Sequence, residues 1–116
     1  MGKFEIQKSS SGKFRWVFKG FQNAILLTST WYENEMECFL SIVNCQLKTG
    51  IIHFHKRSNN QGHLYFEQVD NQGNIICKST NYNSELALEL AIRSMKTLTE
   101  VASVQKKITK DSLYSQ

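Results

Sequence analysis

The chain has 116 residues, 41% of them hydrophobic, 21% charged and 11% aromatic, with a formal net charge of +4. That composition suits one ordinary globular domain, able to bury roughly two-thirds of its unfolded surface, and so modest a positive charge is no nucleic-acid signature by itself. The longest apolar run, Ala24 to Leu27, is too short to span a bilayer, and no signal-peptide core follows Met1-Gly2-Lys3. An odd count of three cysteines argues against a disulfide framework, so the expected location is the cytoplasm.

In chain order, Phe4-Glu5-Ile6-Gln7-Lys8 alternates apolar and polar residues, the period of a half-buried strand. Ser9-Ser10-Ser11-Gly12 has turn chemistry. Phe14, Trp16 and Phe18 then share one strand face, with Lys13, Arg15, Val17 and Lys19 on the other. A turn at Gly20 to Asn23 leads into a mostly apolar strand from about Ala24 to Ser29. Asn34-Glu35-Met36-Glu37 supplies an N-cap with a glutamate at N3, which predicts a helix to about Leu47 with Gly50 at C′.

The same order follows again. Ile52 and Phe54 alternate with His53 and His55, and Ser58 to Gly62 is predicted as a turn two residues longer than the first. Leu64 and Phe66 face inward, Asp70-Asn71-Gln72-Gly73 turns the chain, and Ile75 to Ser79 forms a third strand. Ser84 is positioned to cap a helix from about Glu85 to Leu98.

The recurrence extends to residues. Ile25-Leu26-Leu27-Thr28-Ser29-Thr30-Trp31-Tyr32 returns fifty positions later as Ile75-Ile76-Cys77-Lys78-Ser79-Thr80-Asn81-Tyr82. Gly12, Phe14 and Trp16 return as Gly62, Leu64 and Phe66, and Leu40-Ser41-Ile42 as Leu90-Ala91-Ile92. A period of this length implies two supersecondary units whose apolar faces cover each other. The predicted fold is α+β: tandem β-β-β-α units forming an antiparallel sheet, with both helices on one face. Residues 1–116 would be a single domain, with repeat one over about 3–50, repeat two over about 51–105, and a flexible tail over 106–116.

The order Gly-Lys-Phe-Glu-Ile, a Gly-Lys-Phe-Arg hairpin, a short apolar strand ending Thr-Ser or Lys-Ser, then Tyr and a helix closing Ile-Arg-Ser-Met-Lys resembles the YegP-like family. The resemblance covers about residues 2–105 and implies a small bacterial domain of unknown function, often in tandem pairs. The chain departs from the family's usual Glu-Asn-Gly before the helix isoleucine, with Phe39-Leu40-Ser41 in one helix and Glu89-Leu90-Ala91 in the other. The family supplies no agreed catalytic residues, so the resemblance implies architecture only. Its single-repeat relatives imply self-association of two units, a pairing that a tandem chain could satisfy internally.

His53-x-His55 has the best metal-like spacing, since i and i+2 on a strand point the same way. If Phe54 pairs with Phe66, then Arg57, His63, Tyr65 and Glu67 join that face, with Glu67 opposite His53. A solvated sheet face with cross-strand polar pairs is the plainer reading, and neither metal nor cofactor is assigned. Cys38 and Cys45 lie about 10 Å apart along one helix, too far for a disulfide, and all three cysteines read as small core hydrophobes.

Lys13, Arg15 and Lys19 form a basic face that, with the tail lysines, suggests weak nucleic-acid binding. Alternation turns the neighbouring rings to the opposite face, where they fill the core instead of stacking on bases. Phe39, Val43 and Leu47 form an apolar i, i+4, i+8 stripe where the second helix has Glu89, Arg93 and Thr97. The fold does not need that stripe apolar, so the C-terminal segment, a second copy of the chain or another protein is expected to cover it.

Nucleotide-loop, nucleophile-elbow and Cys-x-x-Cys motifs are missing. The sequence therefore reads as a small non-catalytic binding or protein-interaction module. A weak nucleic-acid binder is the first alternative, and an unrecognised enzyme or metal-binding protein using His53, His55 and Glu67 is the second.

Overall fold

A computed structural model describes residues 2–47 and 53–106. Strands β1 (Lys3–Lys8), β2 (Phe14–Lys19) and β3 (Ile25–Ser29) precede helix α1 (Glu35–Leu47). Strands β4 (His53–Ser58), β5 (Leu64–Val69) and β6 (Ile75–Ser79) precede α2 (Glu85–Leu98), and β7 (Ser103–Lys106) follows. All seven strands form one sheet in the order β4-β5-β6-β3-β2-β1-β7. The two three-stranded meanders therefore meet in the middle, where β3 and β6 pair antiparallel with Thr28 opposite Lys78. The fold is α+β.

Local chemistry sets the element ends. The Glu37 N–H donates to Asn34 Oδ1 at 2.9 Å and the Ala87 N–H to Ser84 Oγ at 3.1 Å, so each predicted N-cap satisfies a backbone donor of its helix. Both hairpins close the same way. Gly12 N–H donates to the Ser9 carbonyl and Gly62 N–H to the Asn59 carbonyl, with φ of +88° and +82° at the two glycines. Lys8 pairs with Phe14 and Ser58 with Leu64, so the second hairpin is no longer than the first, contrary to the sequence expectation. The residue following each strand, Ser9 or Asn59, accepts the turn hydrogen bonds and fixes one loop length in both.

The core lies between the helices and one sheet face. Phe4, Trp16, Phe18, Leu27, Phe66 and Cys77 meet Cys38, Ile42, Leu88, Ile92 and Met95 there, all buried. Tyr32 and Tyr82 bridge back to Phe14 and Leu64, which pins the segment before each helix over the sheet. The Tyr32 hydroxyl and the Trp16 indole N–H both reach Ser41 Oγ, at 2.7 and 3.0 Å.

Strand β7 is the element the hydrophobic pattern did not reveal. It pairs parallel with β1, Phe4 beside Val104, so the sheet is not wholly antiparallel and 103–106 belong to it. The rest of the expected tail, and the expected C′ residue Gly50 and strand residue Ile52, lie outside the described residues.

Candidate functional site

The sheet face away from the helices carries a line of side chains across six strands. In register it runs Glu5, Val17, Thr28, Lys78, Glu67 and His55. Alternation puts them there because their sequence neighbours Phe4, Phe18, Leu27, Cys77, Phe66 and Phe54 belong to the helix side.

On the first half of this face the polar groups are already engaged. Glu5, only 2% exposed, pairs with Lys19 Nζ at 2.8 Å. Arg15 Nε donates to Gln7 Oε1 at 3.0 Å, and its guanidinium lies over the Trp31 ring at 4.7 Å. Lys13 pairs with Glu33 at 3.1 Å on the exposed surface. The three cations named for nucleic acid thus each have an intramolecular partner, a poor arrangement for neutralising phosphates.

The second half is more open. His55, not His53, lies opposite Glu67; His53 faces Val69, and Phe54 pairs with Gln68 instead of Phe66. The shorter loop moves the register by two residues and leaves the side chains within β4 and β5 on their expected faces. Phe54 and Phe66 still touch diagonally, ring centroids 5.5 Å apart. Glu67 accepts from Arg57 Nε at 3.0 Å, and His63 belongs to the hairpin loop, its N–H donating to Asn59 Oδ1. His53 and His55 lie 6.3 Å apart between ring centroids. Among the described residues no three His, Cys, Asp or Glu side chains come together as a metal site.

The cysteines are buried and free, but two converge in a way their spacing concealed. Cys45 Sγ and Cys77 Sγ both donate to Gln68 Oε1, at 3.6 and 3.3 Å, inside the core. The signal was a glutamine at the third inward position of β5, after Leu64 and Phe66, where β2 has Phe18. Desolvation, with Cys45 as a lesser cause, pushes the Cys77 thiol well above its ordinary value. Burial, reinforced by Glu35, raises Cys38 to about 12. Neither is a ready nucleophile near neutral pH.

On the helix side, Phe39 contributes with Ile6, Glu35, Met36 and Val104 to an open cavity of about 410 Å³. In the second half Met36 corresponds to another exposed apolar residue, Leu86, but two of the apolar lining positions become charged. Lys56 stands where Ile6 does and forms an ion pair with Glu89, which stands where Phe39 does. Val43 is half-buried, whereas Leu47 is 66% exposed and Met36 64%.

No family model and no curated protein matches the chain. Two solution NMR structures do. The protein of unknown function yegP from E. coli is 26% identical, with 94% of this chain and 95% of that one covered at a TM-score of 0.78. A UPF0339 protein from Shewanella oneidensis is 22% identical, with 92% of each chain covered at a TM-score of 0.77.

Proposed function

We propose that this chain, a YegP-like protein of α+β fold, is a non-catalytic protein-interaction module that self-associates through α1. The observation that carries the reading is the apolar outer surface of that helix. Met36, Phe39, Leu40 and Leu47 are exposed beside a cavity that Ile6 and Val104 help to line. Isolated exposed leucines are ordinary, but four large apolar residues on one helix next to a concave apolar wall form a contact surface.

A second copy is the occupant that the surface favours, because a two-fold axis sets the apolar face of α1 against an identical apolar face, with Met36, Phe39, Leu40 and Leu47 exposed on each side. The two β-β-β-α halves are also proposed to be copies of one ancestral unit. Supporting this are their equal hairpin registers and the paired Ser29 and Ser79 hydroxyls, which accept from Trp16 and Phe66 N–H at 2.8 and 2.9 Å.

Size-exclusion chromatography with light scattering tests the association. The natural chain is expected to be a dimer, and Phe39→Glu with Val43→Arg a folded monomer. Leu47→Glu, at a position without close packing, gives the same result should the double variant unfold. A natural chain that stays monomeric at every concentration overturns the reading.

Nucleic-acid binding keeps less support, because Arg15 and Lys19 are held against Gln7 and Glu5. Salt-dependent retention on immobilised DNA or RNA would restore it.

A further inference from the structure

We infer that the second half carries a binding site for a small oxyanion at the place where the first half is closed by Trp31. The two locations correspond residue by residue. Ser9, Arg15, Thr28, Ser29 and Trp31 of the first half become Asn59, Tyr65, Lys78, Ser79 and Asn81 of the second. In the first half the Arg15 guanidinium lies over the Trp31 ring, 4.7 Å from its centre. In the second, replacing a tryptophan by an asparagine leaves a cavity of about 220 Å³ lined by those five residues.

The lining chemistry selects the ligand. Asn59 Oδ1 already accepts from the Gln61 and His63 N–H groups, so this side chain has only its amide donors to offer. Ser79 Oγ accepts from Phe66 N–H and donates to the Thr80 carbonyl, which commits it to the fold. Lys78 is exposed and lies 5.7 Å from the centre of the Tyr65 ring, which places the ammonium beside the cavity. No carboxylate lines the space. The nearest acid in register is Glu67, whose charge is met by Arg57 at 3.0 Å. One ammonium, one phenol and two amides therefore surround a space large enough for a phosphate or carboxylate group and a few further atoms, and too small for a nucleotide.

Titration with inorganic phosphate and, separately, sodium acetate, read by two-dimensional amide NMR at constant ionic strength, tests the site. Saturable shifts are expected at Asn59, Tyr65, Lys78, Ser79 and Asn81, with none at Arg15 and Trp31. The tighter of the two anions identifies the head group. Lys78→Ala should raise the half-saturating concentration about tenfold, the loss of one charge-assisted contact. Asn81→Trp should abolish binding by rebuilding the first half's plug, and its unchanged far-ultraviolet spectrum shows that the chain still folds. Absence of saturable shifts with both anions overturns the inference. So do shifts distributed equally over Lys13, Lys19 and Lys78, which report charge screening alone.

Discussion

Strands β1 and β4 open the two halves with the same alternation, yet one is interior and the other is an edge. Strand β7 adds to β1, and Phe4, Glu5, Ile6 and Gln7 all become buried. Strand β4 has no such neighbour among the described residues, and five of its six residues are exposed. The side chains follow suit. Ile6 corresponds to Lys56, a charge on the helix side of an edge strand that any added strand would have to bury. Two polar residues of the second half, Lys56 on the strand and Glu89 on the helix, paired with each other, thus let two similar meanders end differently. The same holds inside the core: Trp16 with its indole N–H faces Ser41, whereas Phe66, which has no donor, is matched by Ala91.

The contrast between interior and edge predicts the largest effect. Phe4→Ala should cost about 3–5 kcal/mol, as for a fully buried ring, and Phe54→Ala about half as much or less, measured by chemical denaturation. Equal costs would mean that β4 is covered as β1 is. A smaller effect separates the two cores. Trp16→Phe and Ser41→Ala each remove one partner of a hydrogen bond, and a double-mutant cycle should give a coupling of about 1 kcal/mol. The equivalent pair, Phe66 and Ala91, has no such bond to lose.

Replacing Lys56 by Ile should barely change stability, because its pairs with Glu85 and Glu89 are exposed and worth about 0–1 kcal/mol. It should instead raise concentration-dependent association, seen in light scattering, by removing the charge from the open edge. The smallest effect concerns the turns. In the second half Asp70 accepts from Asn74 N–H, chiefly, and from Gln72 N–H, which lowers its pKa from the ordinary 3.8; the first half has Gly20 there. A folded value below the unfolded one gives stability that is complete above 3.8 and lost as pH falls through the folded value. Asp70→Asn should flatten that part of the acid unfolding curve, whereas changes at Gly20 should leave it alone.

Much of this arrangement was present in the chain's local chemistry. Alternation about Phe14, Trp16 and Phe18 fixed the faces, Asn34 and Ser84 fixed the helix starts, and Gly12 and Gly62 placed the turns but not the length of the second, because each depends on neighbours within a few residues. The candidate sites were less visible. The basic residues Lys13, Arg15 and Lys19 were legible in the sequence, but not the ion pairs of Lys13 with Glu33 and Lys19 with Glu5, nor the hydrogen bond of Arg15 to Gln7, whose partners come from other strands and loops. The proposed oxyanion cavity depends on exchanges between the halves, Trp31 to Asn81 and Thr28 to Lys78 above all, that have meaning only once the two halves are overlaid in space.

The sequence by itself determined strands β1 to β6, both helices, their inward residues and their order, since periodicity and capping are local properties of the backbone. Only the tertiary structure decided that β3 meets β6, that β7 joins β1 in parallel, that His55 faces Glu67, and that Cys45 and Cys77 share Gln68. Those pairings bring together distant segments, and burial of the whole sheet selects among registers that local chemistry leaves equivalent.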